Sequence, residues 1–160
     1  MTAARGNANQ SLYLAKIVLD AWAAAKATQE IAEAVLEQAF LPGVREHIIT
    51  AYGWFLLESA GFDDWRDAPP TSVTGLPSVA EGKATSGELR EFQLLEDEGW
   101  LQNLLAEIDF SRPTPSPRSR ASRNNLALAA STVPSLEDAR AWHMQLTALI
   151  ERMRDSFDEY

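Results

Sequence analysis

The sequence predicts an all-α fold, a four-helix bundle in antiparallel up-down-up-down order with two long connections. Apolar residues recur at spacings of three and four through four separate segments. A helix start or stop signal bounds each segment, and no segment offers a strand partner. The 160 residues, 46% apolar and 23% charged, read as one domain over 1–160 that buries its own core without a staple.

The first helix is expected over about 9–40, opened by an Asn9 cap and stopped by Pro42-Gly43. Leu12, Ala15, Leu19, Trp22 and Ala23 form one apolar stripe. Leu14, Ile17, Ala21, Ala24, Ile31 and Val35 form a second beside it. A face this wide calls for two neighbours rather than one. Thr28-Gln29 is the expected place for a bend or a change of partner.

The second helix is expected over about 44–60 and ends at Gly61. Val44, Ile48, Ala51, Tyr52, Phe55 and Leu56 make its core stripe, and Ile48 to Leu57 carries no charge. It is therefore expected to be the most buried helix. Gly53 lowers helix propensity by up to about 1 kcal/mol, which predicts a close contact there.

Residues 62–85 read as a loop because Pro69-Pro70, Gly75, Pro77 and Gly82 exclude a long regular element. The third helix is expected over about 86–109, opened by a Thr85/Glu88 capping box. Its two apolar stripes do not join across Glu96-Asp97-Glu98-Gly99, which predicts a kink. Residues 110–134 form a second connection, with alternating Pro113, Pro115 and Pro117. The last helix, about 135–158, starts with a Ser135/Asp138 cap. Ala139, Trp142, Leu146, Leu149, Met153 and Phe157 form its seam.

The net charge is −9, and the segments share it unequally: −2 over 1–62, −8 over 63–109, +4 over 110–136 and −3 over 137–160. An acidic surface repels phosphates, so nucleic acid is not the expected main partner. The one basic island, Arg112, Arg118, Arg120 and Arg123, is the candidate for contact with an anion. The absence of cysteine excludes disulfides and thiolate metal sites. No apolar run is long enough for a membrane span, and the first residues lack the apolar stretch of a signal peptide. These features predict a soluble, cytoplasmic protein that does not associate with membranes.

The sequence offers no catalytic constellation, and neither metal nor cofactor is expected. A di-iron bundle needs Glu-x-x-His pairs, yet Val44 precedes His47 and Arg140 precedes His143 at that spacing. Asp63, Asp64 and Asp67 lack the alternation of a calcium loop, and no glycine-rich phosphate loop occurs. Lys16 and Asp20 have ion-pair spacing, and with Tyr52 and Trp54 they are the candidates for a small-molecule pocket.

Asn9 to Ala15 with Leu19, Asp20 and Ala21, and Leu149 to Arg154 with Glu159-Tyr160, resemble an uncharacterised family of small all-helical proteins. That family occurs in Pseudomonas and related gammaproteobacteria and is classed as a domain of unknown function. Ala51-Tyr52 and Trp100-Leu101 fit the same resemblance. It implies a bacterial cytoplasmic setting and a single helical domain, and it lends no activity.

The leading functional expectation is a non-enzymatic helical module that binds a protein partner or forms a homodimer. Ile49, Trp54, Leu57 and Trp100 lie off the best seams and are its expected contact residues. The alternatives are a small-molecule binder or enzyme with an interhelical pocket around Lys16, Asp20 and Tyr52, and a weak nucleic-acid or phosphoprotein adaptor using the 112–123 arginine island.

Overall fold

The computed structural model describes residues 2–77, 87–110 and 133–159. Five α-helices and one short 3-10 turn occur among the described residues, with no strand among them, so the fold is all-α.

Helix α1 spans Ala3–Thr28 and begins before Asn9. Thr2 caps it, its hydroxyl accepting the Arg5 amide at 3.2 Å. The earlier start buries Ala4 and Ala8, and it leaves Asn9 inside the helix, where its side-chain carbonyl accepts from Arg154 at 2.7 Å. The expected helix over 9–40 is two helices. Gln29 adopts a left-handed conformation (φ 56°) and closes α1, its backbone N–H donating a hydrogen bond to the Lys26 carbonyl at 3.2 Å. Thr28-Gln29 is thus a chain reversal rather than a bend. Lys26 and Glu33 pair across it at 2.9 Å, and this carboxylate raises the lysine pKa.

Helix α2 spans Glu33–Ala60 and runs through Pro42 and Gly43, which were expected to separate two helices. An interior proline removes one amide donor and costs about 3 kcal/mol. Leu36, Leu41, Val44 and Ile48 on either side are all buried, each worth roughly 1.5–3 kcal/mol. A continuous helix keeps all four on one core-facing side and leaves Pro42 and Gly43 in solvent. Gly61 (φ 80°) ends α2, with the Phe62 amide reaching the Leu57 carbonyl at 2.9 Å.

The expected third helix over 86–109 is also two helices, α3 (Gly87–Glu98) and α4 (Trp100–Leu105). Thr85 and Ser86 lie outside the described residues. Gly99 breaks the run in extended geometry (φ −103°, ψ −163°), so close to Leu95 that a Cβ would meet its Cδ2 at 2.8 Å. Helix α4 stops at Leu105 because Arg45 takes its last carbonyls. The guanidinium donates to Leu104 at 2.9 Å and to Leu105 and Ala106 at 3.2 Å. Helix α5 (Leu136–Asp158) opens with the full Ser135/Asp138 capping box. Its buried seam of Ala139, Trp142, Leu146, Leu149 and Met153 ends before Phe157, which is exposed.

Polar contacts fix the directions of the helices. Arg154 meets Asn9 and Glu58, while Lys26 meets Glu33. Helix α1 is therefore antiparallel to α2, and α5 runs with α2. Tyr52 meets Glu96 and Arg45 meets Leu104, so α3 and α4 run against α2. Helix α2 touches all four other helices.

The 62–77 connection lies over α2. Trp65 bonds the Ala68 carbonyl at 3.1 Å and packs edge-on against Phe62. Pro69-Pro70 sits directly on Gly53, where a Cβ would come within 2.1 Å of the Pro70 carbonyl oxygen. The close approach expected at Gly53 is therefore to this loop. One Glu96 carboxylate oxygen accepts the Tyr52 hydroxyl at 2.5 Å and the Val73 amide at 2.8 Å, joining α2, α3 and the loop. Burial and the Glu96 carboxylate push the Tyr52 phenol far above its ordinary pKa, so it acts as a neutral donor.

Two glycines of α2 give a sign test. Gly43 has open space around it, so Gly43→Ala is expected to stabilise by up to about 1 kcal/mol through helix propensity. Gly53→Ala gains the same propensity but must displace the Pro70 backbone, and a net loss of about 1–2 kcal/mol is expected. Urea midpoints of the two variants check this. A stabilised Gly53→Ala protein would contradict the seating of the loop.

Candidate functional site

Helix α1 has two unlike faces. Ala4, Ala8, Ser11, Ala15, Leu19 and Trp22, spaced by three and four, are buried against α2 and α5. Small residues dominate that face and let α2 pack closely. At its far end Trp22 stacks on Phe40 with ring centres 6.2 Å apart.

The opposite face is apolar and uncovered. Tyr13 is 64% exposed, Ile17 48% and Leu14 36%, and Ala21 and Ala24 continue the stripe in solvent. Beyond the chain reversal Ile31 and Val35 are also exposed. Five of the eight large exposed hydrophobic residues in the described regions thus fall between Tyr13 and Val35, a clustering that marks interaction surfaces. Lys16 and Asp20 stand in solvent on one flank of this stripe, one helical turn apart. Helix α1 carries Arg5, Lys16 and Lys26 against Asp20 alone, so it is locally cationic in a chain of net charge −9. The periodicity that predicted two neighbours for α1 is the signal for this face. One stripe has its neighbours, and no described element covers the other.

The expected contact residues, Ile49, Trp54 and Leu57 on α2 and Trp100 on α4, lie elsewhere. Leu57 is fully buried and Ile49 is buried, while Trp54 and Trp100 are half-buried and packed against the core. The charge-free run of α2 faces α1, α3, α4, α5 and the 62–77 loop, so one chain suffices to bury it. Arg112, Arg118, Arg120 and Arg123 lie outside the described residues.

Lys16, Asp20 and Tyr52 do not form a pocket. The first two are on the outer face of α1, whereas Tyr52 is buried against Glu96 and Phe92. Among the described residues Trp22 Nε1 and Ser59 Oγ are buried without a hydrogen-bond partner, whereas the charged groups inside the fold pair with one another. Arg154 forks onto both Glu58 oxygens at 3.0 and 2.9 Å and lies 5.9 Å from the Phe55 ring centre, and Arg5 approaches the same carboxylate at 3.9 Å. His143 donates its Nε2 proton to the Leu12 carbonyl at 3.0 Å, since a carbonyl only accepts, which ties α5 to α1. No group of three or more metal-ligating side chains occurs among the described residues. A polar cleft of about 340 Å³ lies between the start of α3 and the end of α5, where Arg152 pairs with Glu91. No helix among the described residues is long and apolar enough to cross a membrane.

No curated protein and no solved structure matches the chain. The family of unknown function DUF6586 matches over residues 1–160, the whole sequence, and the chain belongs to that family.

Proposed function

We propose that the protein is a non-enzymatic helical module that binds protein through the uncovered face of α1, in the cytoplasm of a bacterial cell. The observation that carries this reading is the run of Tyr13, Leu14 and Ile17 in solvent along α1, away from its buried face; Ile31 and Val35, past the chain reversal, are exposed as well. A stripe of this kind loses favourable burial, about 25 cal/mol per Å² of apolar surface, for as long as it stays in water. Exposed aliphatic residues scattered singly need no explanation, but a run along one helix does. The face is also chemically simple. It presents aliphatic and aromatic carbon with a few flanking charges, which suits recognition of another apolar helix or groove. The Glu58–Arg154 and Tyr52–Glu96 pairs spend their hydrogen-bonding capacity inside the fold, which supports a structural rather than a chemical use.

A photo-crosslinking residue at position 17, expressed in cells, tests the proposal. Discrete covalent adducts are expected at position 17 and not at position 94, where Leu94 is exposed on α3 away from this face. Equal labelling at both positions, or none at either, would overturn it.

A further inference from the structure

We infer that the occupant of the α1 face is a second copy of this chain, docked antiparallel about a two-fold axis level with Leu19. The inference rests on the reading of α1 as an interaction surface and adds the identity of the partner. Gln10, Leu14, Ile17, Ala21, Ala24 and Thr28 alternate spacings of four and three, the pattern of a helix-pairing seam. All but Gln10 and Thr28 are apolar, and all six are exposed. Its large side chains fall in the first half and its alanines in the second.

An antiparallel pair about Leu19 sets Leu14 opposite Ala24 of the other copy, Ile17 opposite Ala21, and Gln10 opposite Thr28. One axis satisfies all three layers at once, each large residue meeting a small one, over a seam of about 27 Å. A parallel pair would crowd Leu14 and Ile17 against their own copies and leave a gap at the alanines. The charges agree with the antiparallel choice. A two-fold axis perpendicular to the helices keeps the Lys16/Asp20 flank of each copy on the same side. It brings each Lys16 within one turn of the other copy's Asp20. A parallel pair would put the two Lys16/Asp20 flanks on opposite sides of the seam, where Lys16 of one copy does not meet Asp20 of the other. The alanines also let the two backbones approach closely, so that Ile17 becomes the central buried residue of the seam.

Sedimentation velocity of the full chain from about 1 to 100 µM tests this, with charge exchange as the diagnostic. The wild type is expected to show a reversible dimer, and Ile17→Glu a monomer with an unchanged circular-dichroism spectrum and Tm. Lys16→Asp and Asp20→Lys should each weaken association about tenfold, because the symmetry counts each exposed pair twice. The double variant Lys16→Asp/Asp20→Lys restores opposite charges across the seam, so its association should return to within about threefold of the wild type. Leu94→Glu should leave the dimer unchanged. A wild type that stays monomeric throughout overturns the inference, as does a double variant no tighter than the singles. If the wild type is monomeric while position 17 still crosslinks to a different polypeptide, the interaction reading stands and self-association alone fails.

Discussion

The ion pair between Arg154 and Glu58 is the constraint on which the arrangement of the three long helices depends. Glu58 lies near the end of α2, Arg154 near the end of α5, and Asn9 and Arg5 near the start of α1, and all four side chains meet in one place. Both side chains of the pair are nearly nine-tenths buried. Charges withdrawn from water this far cost several kcal/mol each unless they face one another with good geometry. The forked guanidinium–carboxylate contact supplies that geometry, and Asn9 and the Phe55 ring fill the remaining sides of Arg154. Sliding α5 along α2 by a single turn would strand both charges. Apolar packing along Trp142, Leu146 and Met153 favours contact in general, whereas the pair favours one register.

Helix α2 converts that register into a fold. It is the element every other helix touches, and its polar side chains reach outward to hold its neighbours. Arg45 closes the end of α4, Tyr52 meets Glu96 of α3, and Glu58 holds α5. Gly53 provides the remaining space, into which the Pro69-Pro70 loop settles. The large apolar residues of α2, Val35 excepted, are thereby packed inside one chain. Helix α1 stands at the edge of this arrangement, with α2 and α5 on one side only, and that position leaves its second stripe in water.

The all-α fold, the break at Gly99, the glycine stop at Gly61 and the Ser135 capping box are legible in the sequence, because each has a local cause. The positions of α1 and α2 are less so. Pro42-Gly43 is a strong local stop signal, and it is overridden by the burial of Leu36, Leu41, Val44 and Ile48, which only tertiary packing supplies. The true reversal at Gln29 has no glycine or proline to announce it. The same gap explains the interaction surface. Periodicity shows that α1 has two apolar stripes and that α2 is apolar nearly all round, but it does not say which helix is central. Once α2 is central, Ile49 and Leu57 turn inward, and the exposed face belongs to Leu14 and Ile17.

A double-mutant cycle on Arg154→Met and Glu58→Gln, followed by urea unfolding, tests the role of this pair most directly. Each single variant strands one buried partner and is expected to lose about 2–4 kcal/mol. The double variant should lose little more than the worse single, giving a coupling of at least about 1.5 kcal/mol. Losses that add to within about 0.5 kcal/mol would mean that the two side chains act independently, and that apolar packing alone sets the register of α1, α2 and α5.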